Sequence, residues 1–424
     1  MKIKRRGLGV YICILFAILL DYRFFYLFDF KGSLDFFFHV GLNITEGFLA
    51  LFLYIYILLF YGNSMSKYKN FLINYGAIVI SVFFIMTFYS YYTYPAQKVV
   101  DTLKMASKFL VPLYIAPVLF SFERDEDARR LVNIINVVSF FWYVYTFVQA
   151  LCYTQKGTFL FNFSSYYSGE VILRNNSLRI GTGAFGNIMI LYNLSNFMFS
   201  TDKKEKHRGL IMSFVGLMHL FLLQQTRMWM IIITICIGIM ILNYGENRKQ
   251  QIQRFVLVIL IGFSLAYSNI LGDFMATFSQ TSGEYSGSTI AREYSWTYFM
   301  SVVAKNPLCG FGLPFDANYF RVAHGSLGVA QTSDVGFLGL LANMGIMAIG
   351  FYVYPILRMV NKYRKQISKC ESNIRIFLLT LIVFVILSSA TLIITDAGRC
   401  MAFPFIIALF EYYAYHQEEY NYEE

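Results

Sequence analysis

Residues 44–61 read ITEGFLALFLYIYILLFY, and this stretch decides the fold class. Glu46 is the only charged residue in it. A helix needs about 20 predominantly apolar residues to cross the hydrocarbon core of a bilayer, and this run is close to that length. Because a backbone in lipid must satisfy its own hydrogen bonds, the run predicts a transmembrane helix.

Similar apolar runs recur along the whole chain. With 44–61 they give about twelve candidate spans, the others lying near 8–20, 71–90, 103–122, 131–151, 183–200, 209–225, 228–243, 254–271, 333–355, 376–395 and 400–415. We therefore predict an all-α polytopic integral membrane protein with about 12 transmembrane helices.

The composition points the same way. Of the 424 residues, 57% are hydrophobic and 14% are charged, whereas soluble domains have about 45–50% apolar and about 25% charged residues. This composition excludes a water-soluble enzyme, a disordered chain and a basic nucleic-acid-binding domain as main interpretations, so no nucleic-acid partner is expected.

The basic residues behind the net charge of +10 are best assigned to the two sides of the membrane. With a cytoplasmic N terminus, most of the 35 Lys and Arg residues fall on the inner side, as the positive-inside rule requires. We treat 1–424 as a single membrane domain with both termini cytoplasmic, extracytoplasmic loops at 152–182 and 272–332, and an acidic cytoplasmic tail at 416–424. The inner connections are short, so any chemistry is expected to face outward.

The larger outer loop is predicted to contain a helix. Thr289 to Ala304 carries apolar residues at near-helical spacing, and Asn306-Pro307 then ends the pattern. We expect this helix to lie against the membrane surface. Gly310 and Gly312 follow and predict a tight turn whose backbone approaches a ligand closely.

No metal site or cofactor is predicted. The six cysteines form no CxxC pair, and the five histidines show no metal-ligand spacing. Asp125-Glu126-Asp127 matches the DxD pattern of nucleotide-sugar transferases, but it lies in a short inner loop and is better explained as a solvated turn.

Four outer arginines are the most informative cations, namely Arg179, Arg227, Arg292 and Arg399. A charged side chain at membrane depth costs about 3 kcal/mol even on lenient insertion scales. Because a guanidinium binds phosphate oxygens in a bidentate manner, several of them together would suit a lipid-linked pyrophosphate. The alternative is that they snorkel or pair with outer carboxylates, the candidates being Asp273, Asp334 and Asp396.

His324 lies in RVAHGSLG within the larger outer loop. A histidine there is able to accept the proton of an attacking sugar hydroxyl, although an ordinary solvated loop residue is the alternative. Aromatic side chains of the outer loops either stack on sugars or anchor at the membrane interface, namely Tyr166, Tyr167, Tyr285, Trp296 and Tyr298.

Four motifs follow one another along the chain, namely RIGTG at 179–183, QQTRMW at 224–229, AREYSWTYFMSVVAKNPLCGFG at 291–312 and SDVGFLGLLANMGIMAIGFY at 333–352. In this order they resemble motifs of the O-antigen polymerase and O-antigen ligase superfamily, the Wzy- and WaaL-like proteins. The resemblance covers about residues 175–360. Thr226 stands where the family often has Ser, and Asp334 stands where Glu is common.

This resemblance implies a GT-C-like, metal-independent, inverting glycosyltransferase of the bacterial cytoplasmic membrane. Its donor and acceptor would be glycans on undecaprenyl pyrophosphate, and its partners would include a chain-length regulator and a flippase. Arg227 and Arg179 would bind the pyrophosphate, while His324 would activate the acceptor. Arg292, Arg399, Asp334 and Trp296 complete the expected substrate-binding set.

Three functions remain open from the sequence. The first is a polymerase that joins repeat units of capsule, exopolysaccharide or O-antigen. The second is an O-antigen ligase that transfers the glycan to another acceptor. The third is a polysaccharide flippase or transporter, for which about twelve spans are also natural.

Overall fold

A computed structural model describes residues 8–28, 30–35, 37–38, 42–125, 128–160, 173–174, 177–181, 183–244, 253, 286–367, 370–393, 395 and 399–423. The first half of the described chain contains helices α1 (Leu8–Asp21), α2 (Leu42–Tyr61), α3 (Lys69–Thr93), α4 (Val99–Ser107), α5 (Ile115–Asp125), α6 (Arg129–Lys156), α7 (Gly183–Phe199), α8 (Lys203–His219) and α9 (Arg227–Asn243). The second half contains α10 (Ser286–Lys305), α11 (Asp316–His324), α12 (Phe337–Met344), α13 (Tyr354–Lys365), α14 (Ser372–Ser388) and α15 (Ala402–Glu423).

Shorter elements lie between these helices. They are 3-10 turns at Phe24–Leu27, Ser66–Tyr68, Lys108–Tyr114 and Thr332–Asp334, a short turn at Ser33–Asp35, π-helices at Leu220–Gln224 and Ile349–Val353, and an antiparallel pair of strands, β1 (Leu173–Arg174) and β2 (Ser177–Leu178). The predicted helical class is therefore confirmed.

Several predicted spans correspond to single apolar helices. Within the described residues, four stretches are long and apolar enough to cross a membrane, namely Asn43–Tyr61, Ser66–Thr93, Val99–Arg124 and Arg129–Lys156. Three shorter apolar helices are Leu8–Asp21, Arg227–Asn243 and Ser372–Ser388. The predicted span at 254–271 lies outside the described residues, so the count of about twelve stays a prediction.

Three predicted spans are not continuous α-helices. The span at 103–122 is interrupted by the 3-10 turn Lys108–Tyr114, where Pro112 has no amide hydrogen to donate. The span at 209–225 ends in the π-helix Leu220–Gln224. The span at 333–355 is broken after α12, because Gly345 has a φ of 58°. These departures from α-helical geometry are local, and Val99–Arg124, which contains the first of them, is still long and apolar enough to cross a membrane.

The helices pack closely through small and polar residues. A Cβ on Gly209 of α8 would lie 2.6 Å from the carbonyl oxygen of Asn193, so only glycine allows this approach to α7. Asn136 of α6 and Asn193 exchange two hydrogen bonds through their amides, of 2.9 and 2.6 Å. Small residues and interhelical amides are typical of membrane helix packing.

The predicted inner connections meet one another at one end of the bundle. Lys67 lies 2.7 Å from Glu123, and Arg129 lies 2.6 Å from Glu371. These four residues come from the three connections at 63–70, 123–130 and 358–375. Their contacts agree with the predicted alternation of the spans.

The opposite end carries a compact unit built on α10 and α12. The predicted helix at Thr289 to Ala304 is confirmed as α10, while its placement on the membrane surface stays a prediction. The unit has its own apolar cluster, made of Phe299, Phe311, Ala330, Val335, Leu338 and Ala342. The turn at Gly310 and Gly312 is also confirmed, with φ values of 61° and 82°.

This glycine turn approaches other parts of the protein backbone. The amide of Phe311 donates to the carbonyl of Ala342 over 2.8 Å, and the amide of Gly312 donates to the carbonyl of Asn343 over 3.1 Å. The amide of Leu313 donates to the Ser90 hydroxyl over 3.0 Å. The turn therefore joins the end of α12 to the end of α3.

Candidate functional site

The turn between α8 and α9 positions Arg227. The π-helix Leu220–Gln224 ends at Gln225, a non-glycine residue with a φ of 45°, and Thr226 is extended. Arg227 is then the first residue of α9 and is only 6% exposed. A π-helix followed by left-handed backbone is an uncommon local structure, and such features concentrate at functional sites.

Arg179 is held on the same turn. Its Nε donates to the carbonyl of Gln224 over 3.1 Å, and its Nη2 donates to the Thr226 hydroxyl, also over 3.1 Å. The amide of Ile180 donates to the carbonyl of Leu223 over 3.1 Å, which fixes the segment that carries Arg179. The structure thus places Arg179 next to Thr226 and Arg227.

The position of Arg227 adds a backbone contribution to the site. The first turn of a helix has amide hydrogens that point along its axis, and the helix dipole favours an anion there. Two guanidinium groups at such a helix start form an arrangement that suits phosphate oxygens. We call Arg179, Thr226 and Arg227 the arginine turn.

Arg292 and Arg399 are placed on other elements. Arg292 lies on α10, and its buried Nε has no hydrogen-bond partner among the described residues. Arg399 lies close enough to Asp21 to interact with it electrostatically. Of the four expected arginines, Arg179 and Arg227 therefore lie together on the arginine turn, while Arg292 and Arg399 lie on separate elements.

A buried acidic cluster accompanies Arg399, and sequence reasoning missed it. Asp21 is 3% exposed and Glu46 is 0% exposed. The Cys400 thiol lies 3.9 Å from Oδ1 of Asp21 and 3.6 Å from Oε2 of Glu46. The signal for this cluster was Glu46 inside an otherwise apolar run, but Cys400 is 354 residues away from it in sequence.

Buried amides near the arginine turn were also missed. Gln149 is 0% exposed, and neither amide atom of its side chain has a partner among the described residues. Oε1 of Gln224, in the residue that binds Arg179 through its carbonyl, is likewise buried and unpaired. Unpaired buried polar atoms are rare in proteins and often mark places where water or a ligand binds.

His324 is buried, with 8% of its surface exposed, so the alternative of a solvated loop residue is wrong. Its Nδ1 lies 2.7 Å from the carbonyl of Ala330, and its Nε2 lies 3.2 Å from Oδ1 of Asp316. A carbonyl only accepts, so Nδ1 carries the hydrogen. Both ring nitrogens are therefore engaged, and His324 and Asp316 form a pair.

Asp334 and Trp296 border the same outer unit. Asp334 ends the 3-10 turn before α12, next to a cleft of about 290 Å³ empty volume lined by Lys108, Thr332, Ser333, Gly336, Asn343 and Thr395 among others. Trp296 is 44% exposed on α10. On the same helix, hydrogen bonds from the Ser326 hydroxyl and the Leu327 amide lower the pKa of Tyr294.

Some predicted residues lie outside the described part of the chain. They include Tyr166, Tyr167, Tyr285, Asp273 and Asp396, together with Glu126 and Asp127 of the DxD pattern. Within the described residues, no group of three His, Cys, Asp or Glu side chains is arranged to hold a metal ion.

The geometry can now be compared with known proteins. Residues 211–353 match the O-antigen ligase family. The matched segment includes Thr226, Arg227, α10, His324 and α12, while Arg179 lies before it. The resemblance to the O-antigen ligase and polymerase superfamily is thereby confirmed for this segment. No curated protein gives a significant match to the chain.

The match also identifies which structural features belong to the O-antigen ligase segment. The segment begins within α8, Thr226 and Arg227 and the outer unit of α10 to α12 follow, and the π-helix Ile349–Val353 ends it. Members of this family are glycosyltransferase-like membrane enzymes. The chain accordingly contains a segment similar to the O-antigen ligase family, and its apolar helices indicate a membrane protein.

Proposed function

We propose that this protein is a polysaccharide polymerase that joins undecaprenyl-pyrophosphate-linked repeat units at the outer face of the bacterial cytoplasmic membrane. The observation that carries the proposal is the arginine turn, in which Arg179 is hydrogen-bonded to the residue before Arg227. Capsule, exopolysaccharide and O-antigen are all possible products of such an enzyme.

In the proposed reaction, an acceptor hydroxyl attacks the anomeric carbon of the donor. A new carbon–oxygen bond forms to the acceptor, and the bond from the anomeric carbon to the pyrophosphate oxygen breaks with inversion. Negative charge develops on the leaving pyrophosphate. Arg179 and Arg227 stabilise that charge, so the reaction needs neither a metal ion nor a general acid.

In this proposal, His324 of the His324–Asp316 pair accepts the proton of the acceptor hydroxyl. The carbonyl of Ala330 fixes the imidazole through Nδ1, so Nε2 is the nitrogen that exchanges a proton. The side chain of Asp316 is 60% exposed and can move away from Nε2 when an acceptor hydroxyl enters. After the proton transfer, the carboxylate returns to Nε2 and stabilises the protonated ring.

Replacing this pair should test the assignment. We expect His324→Gln to lower the transfer rate by about 10²-fold, in the range that general base catalysis contributes. Asp316→Asn should lower it less, and the double variant should resemble His324→Gln, because the two groups act as one unit. Rates would be measured with purified variants. Multiplicative losses in the double variant would contradict a shared role.

A ligase is the second candidate, because the matched family is described as O-antigen ligase. The two reactions share the donor and differ in the acceptor. A ligase transfers the glycan to something other than a lipid-linked repeat, such as a lipid A core or a protein. A chain-length regulator and a flippase remain proposed partners of the polymerase.

The deciding experiment supplies the purified full-length protein with lipid-linked repeat units alone. A polymerase produces a ladder of longer lipid-linked chains from this single substrate. Product that appears only after another acceptor is added would favour the ligase. If no glycosidic bond forms and the lipid-linked units instead cross a vesicle membrane, the transporter function would replace both.

A further inference from the structure

A groove between α6 and α8 lies at the end of the bundle opposite the arginine turn. It has an empty volume of about 870 Å³ and is lined by Phe140, Lys203, Lys204, His207, Arg208, Ile211 and Met212. None of the proposed catalytic residues borders it. The groove therefore needs an explanation of its own.

The residues of the groove are ordered along α8. Positions 203, 207 and 211, like positions 204, 208 and 212, are four residues apart, so they follow one face of the helix. The first two turns of this face carry cations, and the third carries Ile211 and Met212. The groove thus has a cationic rim and an apolar wall.

The cations of the rim are not neutralised by the nearest carboxylates. Glu205 accepts a hydrogen bond from the Ser200 hydroxyl over 2.8 Å and lines a different cleft, together with Arg129. Asp202 caps α8 by accepting from the amide of Lys204 over 2.9 Å. Of the residues that line the groove itself, none is acidic.

The rim is also partly fixed in place. Nη2 of Arg208 donates to Oδ1 of Asn133 on α6, so one cation is positioned by a second helix. On the same two helices, Phe141 and Phe214 are 67% and 61% exposed, as expected for side chains that face lipid. A ligand of the groove therefore has access from the bilayer.

We infer that this groove binds an anionic phospholipid of the surrounding leaflet. The phosphodiester headgroup lies among Lys203, Lys204 and Arg208, and an acyl chain lies along Phe140 and Ile211. Both parts of the ligand match the groove in order, with charge at the rim and hydrocarbon below. Basic clusters at the cytoplasmic ends of membrane helices attract anionic lipids in this way.

The test compares two charge-removing variants of the delipidated, full-length protein. The groove variant is Lys203→Gln, Lys204→Gln and Arg208→Gln together. Its control is Lys362→Gln, Arg364→Gln and Lys365→Gln, which removes the same charge from the last turn of α13, where the connection is also predicted to be inner. Native mass spectrometry would then measure the binding of phosphatidylglycerol and phosphatidylcholine.

We expect the groove variant to bind phosphatidylglycerol about tenfold more weakly or worse, since each basic residue near an anionic lipid contributes measurably. The control should bind phosphatidylglycerol as the unmodified protein does. Equal losses in both variants, or no loss in the groove variant, would overturn the inference.

A second variant keeps the charges and changes the wall. Ile211→Ser should also weaken phosphatidylglycerol binding, because less apolar surface receives the acyl chain. Soluble glycerol phosphate should compete poorly, since it has no chain to bury. If glycerol phosphate competes as well as the lipid, the groove is a phosphate site and the lipid assignment is wrong. Gel-filtration profiles would verify that each variant is folded.

Discussion

Arg227→Lys is expected to lower polymer formation by on the order of 10²-fold, similar to the loss of one donor that stabilises developing charge in other enzymes. Lysine keeps the positive charge but presents it as a single point, so it does not reproduce two parallel contacts to phosphate oxygens. Arg227 is buried at the start of α9, which leaves little freedom for a replacement to adjust. The measurement is the transfer rate from lipid-linked repeats.

The matched control is Arg321→Lys, which makes the same change in an exposed residue of α11. It should leave the rate unchanged. A rate for Arg227→Lys close to that of the control would contradict the proposed role of Arg227 in binding the pyrophosphate. Donor binding, measured separately, should fall less than the rate if Arg227 acts mainly on the transition state.

Gly310→Ala is expected to prevent stable folding of the outer unit. Gly310 has a φ of +61°, and a Cβ there would lie 2.1 Å from the carbonyl oxygen of Ala342. The left-handed backbone alone costs about 1 kcal/mol for alanine. The contact adds more, because both sides of it are backbone, and overpacking typically costs about 1–3 kcal/mol in addition. Thermal unfolding in detergent would report the loss.

Gly157→Ala separates the two causes. Gly157 has a similar φ of +66°, but nothing lies within 4 Å of the position its Cβ would take. We expect this variant to lose about 1 kcal/mol only, from backbone strain. Equal unfolding temperatures for the two variants would show that the glycine turn tolerates the Ala342 contact.

Much of the helical architecture was predictable because long apolar runs have few alternatives in lipid. The proximity of Arg179 and Arg227 was also expected, since the family resemblance assigns both to the same pyrophosphate. The π-helix Leu220–Gln224 was not predictable. Its apolar residues fit an α-helix equally well, and tertiary contacts select the wider turn.

The contact between His324 and Asp316 could not be predicted from the sequence for a different reason. The two residues are eight positions apart, and a contact between them depends on Tyr319, whose φ of −131° and ψ of 37° interrupt α11. No residue type in that segment signals such a kink. The Asp21–Glu46–Cys400 cluster was missed for a related reason, because Cys400 is more than 350 residues away in sequence from the two carboxylates.

The paired amides of Asn136 and Asn193 have a consequence for biogenesis. Helices α6 and α7 enter the membrane one after the other, and until they meet neither amide has its partner on the other helix. When the helices meet in the correct register, both amides are satisfied at once. A helix in the wrong register leaves both unpaired, so this pair favours correct assembly during membrane insertion over kinetically trapped arrangements.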